Sequence, residues 1–258
     1  MALAEPGPFE LVNPNGQGNL VLVCDHASNR VPASLGDLGL SSQQLASHIG
    51  WDPGAALFAR QLSARFDAPL FLSNYSRLVI DCNRWPSDPE SIPESGAGII
   101  IPGNCNLTEQ EAAYRRQALF EPYQAAIASR LSQSAGQTRL LLSIHSFTPS
   151  LSGIDRPWPI GVCYRRDAAL GRRWVKVLKN LLGSRPENKA QHGTAGPVGD
   201  NEPYEIEIDC DYTIPVQGEN RGIPSIMLEL RQDQITDEQG IQQWSDIITE
   251  SWLALAGQ

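Results

Sequence analysis

A chain of 258 residues, 41% hydrophobic and 19% charged, can bury one large core without disulfide or metal staples, which excludes the small stapled scaffolds and the disordered class. Its formal net charge of -9, with no run of Lys or Arg, argues against nucleic acid or another polyanion as a partner. Apolar runs of strand length, an N-terminus (MALAEPGPFE) without a cationic or apolar leader, and five cysteines without CxxC spacing predict a reduced, cytoplasmic protein with no membrane span.

Residues 1–19, rich in Pro, Gly and Asn, read as an extended arm. Leu20–Cys24 is an apolar run of strand type, stopped by the polar cluster Asp25, His26, Ser28, Asn29 and Arg30. Ser41 caps a short helix to His48. Asp52-Pro53 opens a firmer one, with Asp suited to the N-cap, Pro to the first helical position, and Ala55, Phe58, Leu62 and Phe66 as its apolar stripe. Strands are expected at 70–72 and 78–80, the second ending in Asp81-Cys82-Asn83-Arg84, and then a long irregular loop over 86–102. Thr108 and Glu111 form a capping box for a long helix to about Gln133. A strand at 139–144 delivers His145, and Ile160–Tyr164 is another. Asp167 caps a helix striped by Leu170, Trp174, Leu178 and Leu181. Residues 183–204 form a second polar loop, Glu205–Asp209 alternates like an edge strand, and Ile226–Leu230 is a buried strand interrupted by Glu229. A capping box at Thr236–Gln239 opens the last helix, with Trp244, Ile248, Trp252 and Leu255 on its apolar side. Strands and helices alternate, so one α/β domain over 20–258 is expected behind the arm, with a mostly parallel mixed sheet between helical layers in a three-layer α-β-α arrangement.

His26 and His145 each close an apolar strand, where the crevice of an open α/β sheet places its chemistry. Two imidazoles suit a catalytic zinc, which takes three protein ligands and a water. The third donor is open at this level. Asn29 stands three residues after His26, Asp52 is either a ligand or a helix cap, and Asp25 suits a partner that orients a ligand. Glu229, planted between Leu228 and Leu230, has the burial that raises a carboxyl toward a useful general base. Arg84 can fork onto a substrate carboxylate with Asn83 orienting it, against a salt bridge to Asp81 or Asp88 as the structural alternative. Arg77 and Arg231 read as ordinary surface charges, His48 and His192 as solvated structural residues, and Cys24 and Cys82 as core packing.

Taken together, DHASNRVP, GWDPGA, SRLVIDCNRW, SIHSF, GDNEPY and ENRGIPSIMLELRQD resemble the N-formylglutamate amidohydrolase family, from about Leu20 to Gln234. That family is similar in fold to zinc carboxypeptidases and aspartoacylases, so the resemblance implies a phosphorylase/hydrolase-like, zinc carboxypeptidase-like fold and a mononuclear Zn2+ enzyme. It assigns His26 and His145 as the first and last histidine ligands, Asp52 of GWDPGA as the third ligand, Asn83 and Arg84 as the grip on a substrate carboxylate, and Glu229 as general base. The sequence departs from the carboxypeptidase and aspartoacylase relatives at Asn29, where they carry Glu. The implied activity is cleavage of the amide bond of a small-molecule N-acyl (N-formyl-type) amino acid by metal-activated water, with loops 86–102 and 193–204 shaping the pockets. The alternatives are a metal-free, non-catalytic ligand-binding protein on the same fold and, further off, a cysteine-dependent hydrolase. The acyl group, the amino acid and the oligomeric state are not named by these residues.

Overall fold

The computed structural model describes residues 6–134, 136–184 and 196–256. Its strands are β1 (Phe9–Val12), β2 (Leu20–Cys24), β3 (Leu70–Ser73), β4 (Ser95–Gly96), β5 (Ile99–Ile100), β6 (Leu140–Phe147), β7 (Ser150–Leu151), β8 (Ile154–Asp155), β9 (Ile160–Cys163), β10 (Val198–Asp200) and β11 (Ser225–Arg231). Its α-helices are α1 (Ser42–Leu45), α2 (Ala55–Phe66), α3 (Glu109–Arg115), α4 (Glu121–Gln133), α5 (Ala168–Ser184) and α6 (Glu238–Ala256). Seven strands form one sheet in the order β1-β3-β2-β6-β11-β9-β10, while β4–β5 and β7–β8 are separate hairpins. Pairing is parallel at β3–β2, β2–β6, β6–β11 and β9–β10, and antiparallel where β1 joins β3 and where β9 joins β11.

The inner strands are buried on both faces, which is why LVLVC and LLLSI read as continuous apolar runs rather than alternating ones. On one face Leu22, Ile144 and Leu228 pack against Phe58 of α2, Trp174 of α5 and Trp244 of α6. On the other, Val21, Val23 and Leu141 meet Tyr123 and Ile127 of α4. The expected three-layer arrangement is thus what forms. Because side chains alternate along a strand, neighbours of Cys24, Ile144 and Leu228 turn the opposite way. Asp25, His145 and Glu229 therefore share the α4 face, near the carboxyl ends of three adjacent parallel strands.

Several local expectations change. The N-terminal arm carries a strand, β1, that pairs with β3 at the sheet edge. The 205–209 segment is not a strand; the edge position goes to β10, inside the segment read as polar loop, whose 185–195 portion, with His192 and Gly193, lies outside the described residues. Helix α6 is capped by Asp237 rather than Thr236, its carboxylate accepting from the Gly240 N–H at 2.8 Å. The long helix from Glu109 to Gln133 is interrupted by a π-helical stretch at Arg116–Phe120.

The largest correction falls on 78–80, which is a buried turn instead of a strand. Its backbone groups are satisfied by side chains. Ser76 Oγ accepts from Leu78 N–H at 3.1 Å, Asn104 Nδ2 donates to Leu78 O at 2.8 Å, and Arg115 Nη1 donates to Val79 O at 3.1 Å. Arg115, only 2% exposed, spends its remaining donors on Asn104 Oδ1 (2.7 Å) and Gly103 O (3.1 Å). Asn104 and Arg115 thus bracket the turn between Arg77 and Asp81. An Arg115→Met variant leaves these acceptors dry, at about 1–3 kcal/mol each. We expect a lowered denaturant midpoint together with a raised KM, because the loosened segment carries Arg77, Asn83 and Arg84.

Candidate metal centre and active site

Asp52 reaches the site because its segment is pinned to the first histidine: its N–H donates to His26 O at 3.0 Å. Helix α2 begins only at Ala55, and its N-cap position is Gly54, at φ 83°, where a Cβ would lie 2.6 Å from Ile235 O. The Asp52 carboxylate is therefore not used as the cap of α2. Its Oδ2 lies 3.0 Å from His145 Nδ1 and 3.4 Å from His26 Nδ1, and accepts from the Ser146 N–H at 3.2 Å. The two imidazole centroids are 4.8 Å apart, with planes at 71°. One donor atom from each of His26, Asp52 and His145 falls within 4.8 Å of the others, and all three residues are buried. Asn29 does not line the cleft around them.

The outward ring nitrogens are held by acids. His26 Nε2 is 2.7 Å from Asp81 Oδ1, while His145 Nε2 is 3.0 Å from Ser143 Oγ and 3.5 Å from Asp25 Oδ2. Asp25 is itself braced by the hydroxyls of Tyr123 (2.9 Å) and Thr213 (3.0 Å). This is how proteins orient histidine ligands: one nitrogen bound to carboxylate, the other turned inward. The inward Nδ1 of His26 is buried with no hydrogen-bond partner, although such groups are ordinarily satisfied. An N,N,O donor set with one orphaned lone pair fits a divalent cation.

Electrostatics agree. Burial alone would lower both imidazole pKa values. The Asp81 and Asp52 charges outweigh burial and the opposing Arg77 charge at His26, and hydrogen bonds that His145 donates to Asp25 and Asp52 outweigh burial there, so both are raised. Burial likewise works against ionised Asp52 and Asp81, yet the His26 charge beside Asp52, and the Arg77 and His26 charges beside Asp81, hold both well below the usual carboxylate range. The buried carboxylates favour positive charge at the imidazoles, and a cation bound there would take the place of protons.

Glu229 pairs in register with His145 across β11 and β6. Strand β11 is central, not an edge, so Glu229 is only 4% exposed, and its Oε2 has no hydrogen-bond partner. Desolvation lifts its carboxyl to about 7, with Asp52 adding to the rise and His145 opposing it. Glu229 lines the same cavity, of about 320 Å³, as His26, Asp52, His145 and Arg84.

Asn83 is knit into the wall rather than free. Its Nδ2 donates to Asp211 Oδ1 at 2.9 Å and its Oδ1 accepts from Thr213 N–H at 2.9 Å. Arg84 faces the cavity, with a partly exposed ion pair to Asp88 at 3.2 Å of the kind worth little in water. Arg77, read as surface charge, instead binds Asp81 Oδ2 through Nη2 (2.7 Å) and Nε (3.1 Å) and approaches Asp52 Oδ1 at 3.7 Å. A strand over 78–80 would set Arg77 and Asp81 about 13 Å apart; the turn brings them together, and their i, i+4 spacing was the available signal. Tyr204, the last residue of GDNEPY, and Asp211, which carried no signal beyond residue type, also line the cavity. Cys24 and Cys82 are buried packing residues, and burial pushes both thiols far up, away from nucleophilic use.

The sequence matches the N-formylglutamate amidohydrolase family over residues 18–236. Among solved structures, the gene product Atu2144 from Agrobacterium tumefaciens is 32% identical and superimposes with a TM-score of 0.88, covering 97% of this chain and 95% of its own. The N-formylglutamate amidohydrolase from Ralstonia eutropha JMP134 shares the fold at 19% identity and a TM-score of 0.69, covering 97% of each chain. Among curated proteins nothing matches. No helix among the described residues is long and apolar enough to cross a membrane.

Proposed function

Because the chain belongs to the N-formylglutamate amidohydrolase family and is thereby an amide-cleaving hydrolase, we propose that it hydrolyses N-acyl amino acids of the N-formyl type with the help of Zn2+ held by His26, Asp52 and His145. The observation that carries this reading is the His–Asp–His cluster with Glu229 directly across the strand pair from His145. Two imidazoles and a carboxylate are a zinc donor set. When bound, the ion supplies a Lewis acid for the amide carbonyl and lowers the pKa of water toward neutrality.

The chain's own residues supply the rest. Glu229, orphaned at Oε2 and raised to about 7, accepts a proton from the attacking water at neutral pH and returns it to the leaving nitrogen. Arg84 grips the carboxylate of the amino acid, and Asn83 fixes the 211–213 segment beside it. Arg77 keeps Asp81 and Asp52 ionised and aimed at the histidines. All five cysteines are free thiols, in keeping with a reducing, cytoplasmic setting.

The test is elemental analysis of the purified protein alongside a screen of N-formyl, N-acetyl and longer N-acyl amino acids, with and without chelator. One equivalent of zinc and chelator-sensitive release of amine are expected. A metal-free protein that binds these compounds without turnover would leave the non-catalytic alternative. Within the active enzyme, Arg84→Ala should raise KM for an acidic substrate by about 10- to 100-fold, equivalent to ~1.5–3 kcal/mol of charged hydrogen bonding, with kcat little changed.

A further inference from the structure

The cavity holding the cluster is one lobe of a longer cleft. Asp52, Arg77, Arg84, Ser146 and Tyr204 line both lobes and form the waist, beyond which lies a second space of about 500 Å³. Either lobe alone is in the range of sites for drug-sized ligands, so a small N-acyl amino acid leaves the second one unused. Its floor is apolar, with Ile49, Leu78, Phe147 and Leu151. Its walls include β4 and β7, from two short hairpins of the same build. Each is closed by two residues of positive φ, Ala97 (48°) and Gly98 (79°) in one, Ser152 (52°) and Gly153 (79°) in the other. Among the described residues, strands β4 and β7 each have a strand partner on one side only, which leaves a backbone edge that an extended chain can pair with.

One cation waits in this lobe. The Arg156 guanidinium lies 4.8 Å over the Tyr204 ring and 5.9 Å from that of Phe147, and donates to the Tyr204 hydroxyl at 2.9 Å. Arg77 is engaged by Asp81 and Arg84 by Asp88, but among the described residues no carboxylate pairs with Arg156. The acids lining the lobe are Asp52, Asp81 and Glu90, and the first two are already committed to histidines and Arg77. A guanidinium stacked on aromatic rings and free of counter-charge is preorganised for an incoming carboxylate.

We propose that the second lobe binds a peptide, so that the amine released by cleavage is the N-terminus of a short acidic peptide rather than a lone amino acid. This rests on the amidohydrolase reading of the first lobe. The acidic side chain of the first residue meets Arg84, the chain crosses the apolar floor between the β4 and β7 edges, and a terminal carboxylate lands on Arg156. The reaction is hydrolysis: the amide C–N bond breaks, a C–O bond from water forms, and the water proton passes through Glu229 to the leaving nitrogen, giving a carboxylate and the free peptide.

The experiment compares N-formyl-Glu with N-formyl-Glu-Ala-Glu on the zinc-loaded enzyme, and measures by calorimetry the binding of the products Glu and Glu-Ala-Glu. The peptide should win by at least tenfold in kcat/KM and in product affinity. Arg156→Gln should erase both advantages while leaving N-formyl-Glu turnover within twofold, and Leu151→Trp, which narrows the lobe, should do the same. Equal rates and affinities for the two substrates, or variants that lower both equally, would overturn the peptide site alone. Absence of turnover with either substrate would overturn the amidohydrolase reading together with it.

Discussion

A Glu229→Gln enzyme should keep its metal and its KM but hydrolyse N-acyl amino acids roughly 10²–10⁴-fold more slowly, the usual contribution of a positioned general acid–base group. Glutamine is isosteric, so the packing between Leu228 and Leu230 is preserved, and only the proton-accepting oxygen is lost. The pH profile carries the same claim. With its carboxyl lifted to about 7 by burial, Glu229 loses its base form as the pH falls below that value, so wild-type kcat/KM should show an acid limb there, moved lower by a bound cation. The variant should lack that limb. Stability gives an independent check, and its sign is opposite to that of an ordinary active-site deletion. A carboxyl whose folded pKa is raised costs stability as the pH climbs from its unfolded value of 4.5 through about 7, because its charged form is buried. The metal-free variant should therefore melt no lower than the metal-free wild type, with the gap widening in its favour up to pH 7. Full activity with zinc retained would remove Glu229 from the chemistry.

How legible this was in the sequence depends on what satisfies each backbone. Where strands and helices satisfy their own hydrogen bonds, the pattern of apolar residues was enough: β2, β6, β9, β11 and the stripes of α2 and α6 appear where they were read, and that of α5 does at Trp174 and Leu178, with Leu182 buried in place of Leu181. It failed at Leu78–Ile80 because the run is apolar for burial in a turn whose carbonyls are served by Asn104 and Arg115, residues more than twenty positions away. No local pattern encodes that. Asp52 was ambiguous for a related reason. Asp before Pro is what a helix cap looks like, and only Gly54, in its left-handed conformation against Ile235, delays the helix and frees the carboxylate. Glu229 was legible because a lone acid in IMLEL cannot be explained cheaply, and the central place of β11 removes the edge-strand alternative. Arg77 was missed through the strand error itself.

The second large effect is expected at Asp52. Among the described residues its carboxylate is the one that approaches both inward nitrogens, at 3.0 and 3.4 Å, so Asp52→Asn should weaken zinc binding by more than the ~10–100-fold seen when only an orienting partner is lost, and activity should fall with it. The metal-free protein should also suffer, since removing one charge from a buried ionic cluster costs about 3–5 kcal/mol. Because the folded pKa of Asp52 is depressed, its stabilisation is fully present above the unfolded value of 3.8 and disappears as the pH falls through the folded value; at pH 7 the wild type and the variant should differ by the whole amount. The histidines report the same change directly. With the Asp52 charge gone, the imidazole pKa values of His26 and His145 should drop, measurable by NMR titration of the ring protons in the metal-free state. Asn29→Ala is the matched control: it lies three residues from His26, the other position the sequence offered as third ligand, yet it does not line the cleft and should leave zinc affinity unchanged. If Asn29→Ala strips the metal and Asp52→Asn retains it, the third ligand has been assigned to the wrong residue.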